Sequence, residues 1–493
     1  MTENTRSPKM IEAFIPVIIL IGLLAFNVYV FGDDATGGPN QIALLFGAVV
    51  AAIIGVRQGF KWKTIQNGMI NSIKSSLGAI LILLVIGALS GTWMISGVVP
   101  SMIYYGLDIL NPSFFLVATC IICAIVALAT GSSWSTIATV GLALLGIGGV
   151  MGISEGMIAG AIISGAYFGD KMSPLSDTTN LAPAMAGTDL FTHIRYMMYT
   201  TIPTLIITLI IFFILGFSIE SKTDAAGIES MQSILDNTFV ISPWLFLVPL
   251  VVIGLIVKKV DALPALFFGT IAGGIAAIIA QPNIVNQLSG IQDDYFMSSY
   301  ITFFNTIAAE SNIETGSASV NDLLSTGGMS GMLNTIWLVL CSMCFGGAME
   351  VTGMLKKITS SVISSVESAG SLIAKTAGTC IFFNATASDQ YLAIVVPGRM
   401  FVNEYKERGL KPENLSRTLE DSGTVTSPLF PWNTCGAYHA GVLGVATGTY
   451  WMYCFFNLLS PITTMVYGFF NIRIRRYSKE EMEAIKRGDV KPA

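Results

Sequence analysis

Long apolar stretches recur along the chain and are separated by short polar segments. They extend from "MIEAFIPVIILIGLLAFNVYVFG" near the N-terminus to "GTYWMYCFFNLLSPITTMVYGFF" near the C-terminus. An α-helix of about 20 apolar residues crosses the roughly 30 Å hydrocarbon layer of a bilayer. The pattern therefore predicts an all-α polytopic membrane protein with about 10 to 12 transmembrane helices.

Composition agrees with a membrane location and gives no indication of an enzyme. Of 493 residues, 53% are hydrophobic and 12% are charged, with a mean hydropathy of +0.68, whereas soluble domains carry about 25% charged residues. No HExxH motif or phosphate-binding loop occurs. Two CxxC pairs, at Cys120 and Cys341, have no histidine beside them, so they do not resemble a metal or redox centre. We expect neither an enzymatic activity nor a cofactor.

Charged residues in the loops predict the orientation of the chain. Basic residues near helix ends favour the cytoplasmic side. The charged residues of loop 57–74 are all basic, whereas the preceding turn carries only Asp33 and Asp34. The C-terminal segment "NIRIRRYSKEE" is basic next to the last apolar run. We therefore expect a multi-pass protein of the cell inner (cytoplasmic) membrane with both termini in the cytoplasm.

Two halves of the chain resemble each other. "SPLSDTTN" begins at Ser173 and "SPLFPWNT" at Ser427, 254 residues apart (427 minus 173). This spacing places Asp177 opposite Pro431. The loop equivalent to the basic segment 57–74 is 281–330, which contains acids and no Lys or Arg. Similar segments with opposite loop charges predict an inverted-topology repeat. The expected divisions are 10–220 (first repeat), 221–241 (extracytoplasmic linker), 242–472 (second repeat) and 473–493 (cytoplasmic tail).

Each half contains a polar segment with prolines inside apolar sequence. Pro174 and Pro183 lie on either side of the first segment, and Pro428 and Pro431 lie within the second. Proline removes a backbone donor and frees carbonyl oxygens, so these segments predict broken or re-entrant helices beside a cavity. Oxygen ligands suit Na+ or H+. Helix N-termini facing the cavity could also bind an anionic carboxylate, so both kinds of cargo stay open.

Asp177 is the first candidate for the ion-exchanging carboxylate. It lies among hydroxyl groups between two prolines, where Na+ and a proton could compete for one site. Its expected Na+ site also includes Thr178 and Asn180. The alternative is that Asp177 caps a half-helix. Asp170 is a further candidate, although an ion pair with the adjacent Lys171 would explain it equally well.

The remaining candidates lie in both halves. In the second half, Asp389 lies in an apolar context, whereas Asp421 follows a charged loop and could lie at the cytoplasmic mouth. A set of neutral oxygen-bearing side chains completes the expected ligands, with helix capping or interhelical hydrogen bonding as the alternative role. These are Ser132, Ser133, Ser173, Thr178, Asn180, Asn384, Thr386, Ser427 and Asn433.

The segment 165–197, "GAYFGDKMSPLSDTTNLAPAMAGTDLFTHIRYM", resembles the signature of the NhaC-type Na+/H+ antiporters. Length, hydropathy and "SPLFPWN" extend the resemblance over essentially the whole chain. It implies secondary active exchange of Na+ for H+, or in some members exchange of carboxylates such as malate and Na+-lactate.

We therefore predict Na+/H+ exchange by alternating access. The alternative is a Na+- or H+-coupled exchanger of small carboxylates or amino acids, which a cationic anchor such as Lys171 or Lys375 would favour. A channel is less compatible with interrupted repeats. The expected partners are Na+, H+ and the lipid bilayer, with a small organic anion in the alternative case. No nucleic acid is expected, and a homodimer is left open.

Overall fold

A computed structural model describes residues 5–31, 35, 37–109, 111–218, 225–317, 320–321, 324–363 and 368–487. Asp33 and Asp34, on which part of the orientation argument rests, lie outside these residues. Within the described part, regular structure is helical, apart from two isolated β-bridges.

The first half of the chain forms ten helices. They are α1 (Met10–Phe31), α2 (Pro39–Arg57), α3 (Trp62–Ser75), α4 (Leu77–Ile95), α5 (Val98–Ile109), α6 (Pro112–Thr130), α7 (Ser133–Val150), α8 (Glu155–Met172), α9 (Asp177–Ala186) and α10 (Leu190–Ser218). A π-helical turn, Ile137–Gly141, lies inside α7.

The second half continues with helices of similar lengths. They are α11 (Ala225–Thr238), α12 (Leu247–Val257), α13 (Ala262–Ala280), α14 (Pro282–Ser289), α15 (Tyr295–Ala308), α16 (Gly328–Val351), α17 (Met354–Ile363), α18 (Ala369–Thr386), α19 (Gln390–Glu407), α20 (Pro412–Leu419), α21 (Thr434–Leu443), α22 (Phe455–Phe469) and α23 (Lys479–Arg487). A π-helical turn, Glu420–Thr424, directly continues α20.

The protein is an all-α polytopic membrane protein. Among the described residues, 8 helices are long and apolar enough to cross a membrane, or 9 if the pair Glu229–Thr238 and Pro243–Val257, bent by 84°, is one span. Helix α19 is not among them, because it carries four charged side chains, Arg399, Glu404, Lys406 and Glu407. Apolar side chains on the outer surfaces are exposed, for example Ile18, Phe46 and Ile214 at 64%, 58% and 62%. Such surfaces suit contact with lipid rather than water.

Close packing of α8 on α6 positions the region where both helices end. A Cβ atom at Gly165 would lie 2.1 Å from the carbonyl oxygen of Cys120, and one at Gly169 would lie 2.2 Å from that of Ala124. Any larger residue would therefore separate the two helices. Small residues permit this backbone approach between membrane helices, and here it holds the last turn of α8 beside the break that follows α6.

Four consecutive helices recur in the second half at a constant spacing. The starts of α6 and α18 are 257 residues apart (369 minus 112), and the same difference separates α7 from α19, α8 from α20, and α9 from α21. The two "SPL" segments are 254 residues apart, which is three residues fewer than the spacing between the helix starts. Asp177 lies opposite Thr434, not Pro431, because the loop before α21 is longer.

Candidate functional site

A cavity of about 570 Å³ lies where helix N-termini from both halves meet. Its lining includes the residues at the start of α7, α9, α19 and α21, namely Ser132, Asp177, Gln390 and Thr434. The lining also includes residues from the start of α4 and from the loop before α13. Each helix N-terminus carries a partial positive charge of roughly half a unit, which stabilises an ionised carboxylate beside it. Three carboxylates lie in the segments around these breaks, namely Asp170, Asp177 and Asp389, and a fourth acid of the lining, Asp261, directly precedes α13.

Asp170 is held in place by the start of α7. Its Oδ2 atom accepts hydrogen bonds from the Ser133 backbone N–H at 3.1 Å and from the Ser133 hydroxyl at 2.7 Å. Among the described residues, no Lys or Arg lies within ion-pair distance of Asp170. The protein thus orients this carboxylate without neutralising it. Ser133 itself does not line the cavity; it supports a residue that does.

Asp177 and Thr178 line the cavity at the start of α9. The helix is capped by Ser176, whose hydroxyl accepts from the backbone N–H of Thr179 at 3.4 Å. The alternative role of Asp177 as the cap is therefore wrong, and its exposed carboxylate is available to the cavity. Asn180 is not part of the lining, because its amide donates to the backbone oxygens of Pro174 and Ser176 at 3.0 and 2.7 Å.

The second half contributes Asp389 to the cavity. One oxygen of Asp389 caps α19 by accepting from the backbone N–H of Leu392 at 2.9 Å. Behind it, Asn433 caps α21 and donates to the Asn384 carbonyl at 3.0 Å. The Asn384 amide in turn donates to the Gly423 carbonyl at 2.6 Å. These two asparagines join the helix breaks of the second half and do not line the cavity.

Three other neutral candidates make local hydrogen bonds outside the lining. Thr386 donates to the Phe382 carbonyl at 2.7 Å, and Ser427 donates to the Thr424 carbonyl at 2.7 Å. The Ser173 hydroxyl accepts from the backbone N–H of Leu175 at 3.3 Å. Of the expected oxygen ligands, the structure brings Ser132, Thr178, Asp170, Asp177 and Asp389 to one cavity.

Lys171 does not pair with its neighbour Asp170. Its ammonium group forms an ion pair with Asp421, and both side chains are 0% exposed. The Ser460 hydroxyl lies 3.2 Å from Lys171, and Thr200 donates to Asp421 at 2.9 Å. The expectation that Asp421 lies at a cytoplasmic mouth is therefore wrong. The pair joins the end of α8 in the first half to the π turn after α20 in the second.

The sequence interpretation missed charges on α20. Glu413 and Arg417 lie on α20, and Glu420 and Asp421 begin the π turn that continues it. The spacings of four and three residues place Glu413, Arg417 and Glu420 on one helix face, whereas Asp421 is adjacent to Glu420 and points elsewhere. That spacing indicated a helix, whereas the charge density was taken to indicate a loop. All four are buried. The Arg417 guanidinium stacks on Tyr196, 4.6 Å from the ring centre.

Basic groups near the cavity differ from those expected. Lys375 does not line it, but Lys259, in the loop before α13, does. Lys259 is exposed and has a φ of 66°. The lining therefore contains one lysine and the four acids Asp170, Asp177, Asp261 and Asp389. This balance favours a cation.

Comparison with known proteins identifies the family. Residues 165–472 match the model of the Na+/H+ antiporter family. The chain belongs to that family. The match includes α9, α19 and α21 and the breaks between them. It also contains all four acids of the cavity lining, Asp170, Asp177, Asp261 and Asp389.

Relatives of this antiporter chain cover almost its full length. It is 37% identical over 448 residues to the Na+/H+ antiporter NhaC of Alkalihalophilus pseudofirmus, which is 91% of this chain and 93% of the relative. It is 36% identical over 470 residues to the malate-2H+/Na+-lactate antiporter of Bacillus subtilis (95% and 96%). It is also 36% identical over 484 residues to the arginine/ornithine antiporter ArcD of Halobacterium salinarum (97% and 96%).

Proposed function

We propose that the protein exchanges Na+ for H+ across the cytoplasmic membrane by alternating access. The observation that carries the proposal is the acidic cavity at the helix breaks, whose lining contains four acids and a single lysine. Ionisable groups at membrane depth mark ion pathways, and carboxylate and hydroxyl oxygens suit a hard monovalent cation. Relatives named as Na+/H+ antiporters support the same cargo.

In this mechanism, Asp177 and Thr178 at the start of α9 provide Na+ ligands, with Asp170 and Asp389 as further oxygen donors across the cavity. A proton on Asp177 removes the charge that attracts Na+, so the two ions exclude each other there. Ser133 keeps the Asp170 oxygen oriented in both states through its two donors. Without Na+ or a proton, the ionised carboxylates of the cavity repel one another. The cavity therefore changes sides with one of the two ions bound rather than empty.

The cavity opens to the side that the loop charges assign to the cytoplasm. Its wall includes Ser75, which follows the basic segment 57–74, and Lys259, which follows Lys258. We therefore assign an inward-open state, with both termini in the cytoplasm. The constant helix spacing supports repeats within 10–220 and 242–472, and the opposite loop charges support their inversion. The linker 221–241 and tail 473–493 complete this arrangement. A homodimer stays a prediction.

A second candidate is coupled exchange of a small carboxylate or amino acid. It is favoured by the size of the cavity and by four helix N-termini, which suit a carboxylate group. Two relatives of similar identity are named as antiporters of malate and lactate and of arginine and ornithine. In that case Lys259 would be the available cationic anchor, in place of Lys171, which Asp421 already neutralises.

Transport by the purified chain in proteoliposomes tests the proposal. With an internal pH dye, addition of Na+ should move protons in wild type and not in Asp177→Asn. Asp236→Asn, an exposed carboxylate on α11 outside the cavity lining, should behave as wild type. Addition of malate, lactate or arginine in place of Na+ tests the second candidate. Proton movement that ignores Na+ in wild type, or full exchange by Asp177→Asn, would contradict the proposal.

A further inference from the structure

A second cavity, of about 630 Å³, forms a lateral groove on the surface of the helical bundle. Its lining comes from α2, α3 and α16. Among the described residues that line it, Arg57 is the only charged one, and the others are apolar side chains and Cys344. Val49, Ile53 and Trp62 of the lining are 52%, 51% and 56% exposed. The lateral groove is therefore open to the surroundings of the protein, and it shares no described residue with the acidic cavity.

The lateral groove has the depth of one lipid leaflet. Its α2 residues begin at Leu45 and recur at i+3, i+4, i+7, i+8 and i+11, ending at Val56, which is one face of a helix. This face is about 16 Å long at roughly 1.5 Å per residue, and half of the hydrocarbon layer of a bilayer is about 15 Å. The small side chains of Ala48 and Ala52, 2% and 4% exposed, leave space between the larger exposed ones. An extended acyl chain of one leaflet matches this length and shape.

Basic groups gather at the end of the lateral groove. Arg57 is the last residue of α2 and lines the groove, and Lys61 and Lys63 stand on either side of Trp62, which also lines it. All three basic side chains are exposed, and none forms an ion pair within the described residues. Tryptophan is enriched at the boundary between membrane and water, and basic residues at that boundary attract anionic lipids.

The acids of the adjoining helices do not neutralise these basic groups. Helices α2, α3 and α4 contain no Asp or Glu. Near the start of α1, Glu12 is paired with Arg6 at 2.6 Å, and the backbone N–H of Arg6 donates to the carbonyl of Gln58, next to Arg57. On α16 the one acid, Glu350, does not line the groove. Three basic groups exceed one unpaired acid, so the end of the groove complements an anionic headgroup.

We propose that the lateral groove binds one anionic phospholipid, with an acyl chain along α2 and the phosphate at Arg57. The lipid belongs to the leaflet on the side of segment 57–74. A second copy of the chain suits the groove less well, because a two-fold contact through this face would bring the basic groups of both copies together. The site does not depend on which cargo is exchanged. Ser342 of α16 donates to the Trp432 carbonyl at 2.7 Å, so the lipid lies against a helix that contacts the break before α21.

Native mass spectrometry of the full-length chain, purified in detergent, tests the headgroup contact. The protein is incubated with phosphatidylglycerol or with phosphatidylcholine of the same acyl chains, so that only the headgroup differs. Wild type should hold one phosphatidylglycerol molecule and much less phosphatidylcholine. Arg57→Gln should weaken phosphatidylglycerol binding by about fivefold, the effect of one basic group on an anionic lipid. Lys74→Gln, an exposed position at the end of α3 outside the groove lining, should bind as wild type.

A large side chain in the lateral groove tests the acyl-chain position. Val49→Trp should exclude the lipid, whereas Ile18→Trp, at an exposed position of α1 outside the lining, should not. Size-exclusion chromatography checks that each variant is folded. Equal binding of the two lipids by wild type would overturn the inference, as would unchanged binding by Arg57→Gln or an equal loss in Lys74→Gln. A wild-type dimer that Val49→Trp converts to monomers, with no phosphatidylglycerol bound, would assign the groove to a second copy and also overturn it.

Discussion

The chain holds two groups of carboxylates that differ in their surroundings. Asp170, Asp177 and Asp389 line an open cavity with no bonded lysine or arginine in the described residues. Glu420 and Asp421 are 0% exposed, and Asp421 is paired with Lys171. Carboxylates of the first kind can bind and release an ion. An ion pair of the second kind instead fixes two parts of the molecule, here one from each half of the chain. The proposed exchange and the cohesion of the two halves thus depend on different acids.

The largest expected effect comes from removing one partner of the buried pair. Asp421→Asn leaves the Lys171 ammonium buried without a counter-charge, which should lower the free energy of unfolding by about 3–5 kcal/mol. Thermal unfolding in detergent measures this loss. The double variant Lys171→Met/Asp421→Leu should recover much of it, because both charges are gone. A single variant that unfolds at the wild-type temperature would show that the pair does not hold the halves together.

In contrast to Asp421→Asn, Asp170→Asn should impair transport while leaving the free energy of unfolding almost unchanged. Asp170 lines the cavity and has no cationic partner that its loss would leave without a counter-charge. The free energy of unfolding should therefore change by no more than about 1 kcal/mol. Sodium-driven proton movement should nevertheless fall to the background of protein-free liposomes, because a ligand carboxylate is lost. Both quantities are measured on the same preparation. A large loss of stability with transport retained would remove the distinction between the two groups of acids.

Ser133→Ala should have an intermediate effect on transport. It removes the hydroxyl that donates to Asp170 but keeps the backbone donor of the same residue. A hydrogen bond to a charged group contributes about 1.5–3 kcal/mol, so the Na+ concentration for half-maximal exchange should rise by about tenfold or more. Ser135→Ala is the matched control, since Ser135 lines the same cavity and its hydroxyl has no hydrogen-bond partner among the described residues. Equal shifts in both variants would contradict the role given to Ser133.

Lys259→Gln should have the smallest effect on Na+/H+ exchange. Exposed charges contribute about 0–1 kcal/mol, and salt screens them. The apparent Na+ affinity should change by no more than about fivefold, and added choline chloride should reduce that change further. Loss of malate or lactate exchange in this variant would make Lys259 an anchor and favour the second candidate function. The measurement therefore also sharpens the choice of cargo.

The breaks that form the cavity could be predicted from the sequence because their causes are local. Prolines beside hydroxyls and carboxylates in apolar runs identified the loop before α9 and the loop before α21, and Asp177 and Asp389 do line the cavity. The partner of Lys171 could not be predicted in this way. Asp421 is 250 residues away, whereas Asp170 is adjacent in the chain. Consecutive residues of a helix point about 100° apart, so the nearer acid was the wrong partner.

Charge density misled the interpretation of α20. A segment rich in Glu, Lys and Arg is usually a solvated loop, but here Glu413 bonds to Arg475, Arg417 stacks on Tyr196, and the helix packs among its neighbours. Local composition contains no information on such distant partners. The alignment of the two halves on their "SPL" residues was wrong by three residues. Those residues lie in loops of unequal length, whereas the helix starts keep a spacing of 257 residues (434 minus 177).

The last turn of α8 joins the two groups of acids in one rigid piece of backbone. Asp170 lines the cavity from this turn, and Lys171, the next residue, lies in the buried ion pair. A single peptide bond separates them. In the proposed exchange, an ion bound at Asp170 therefore lies one residue from the ion pair that joins the two halves, with no loop between the two sites.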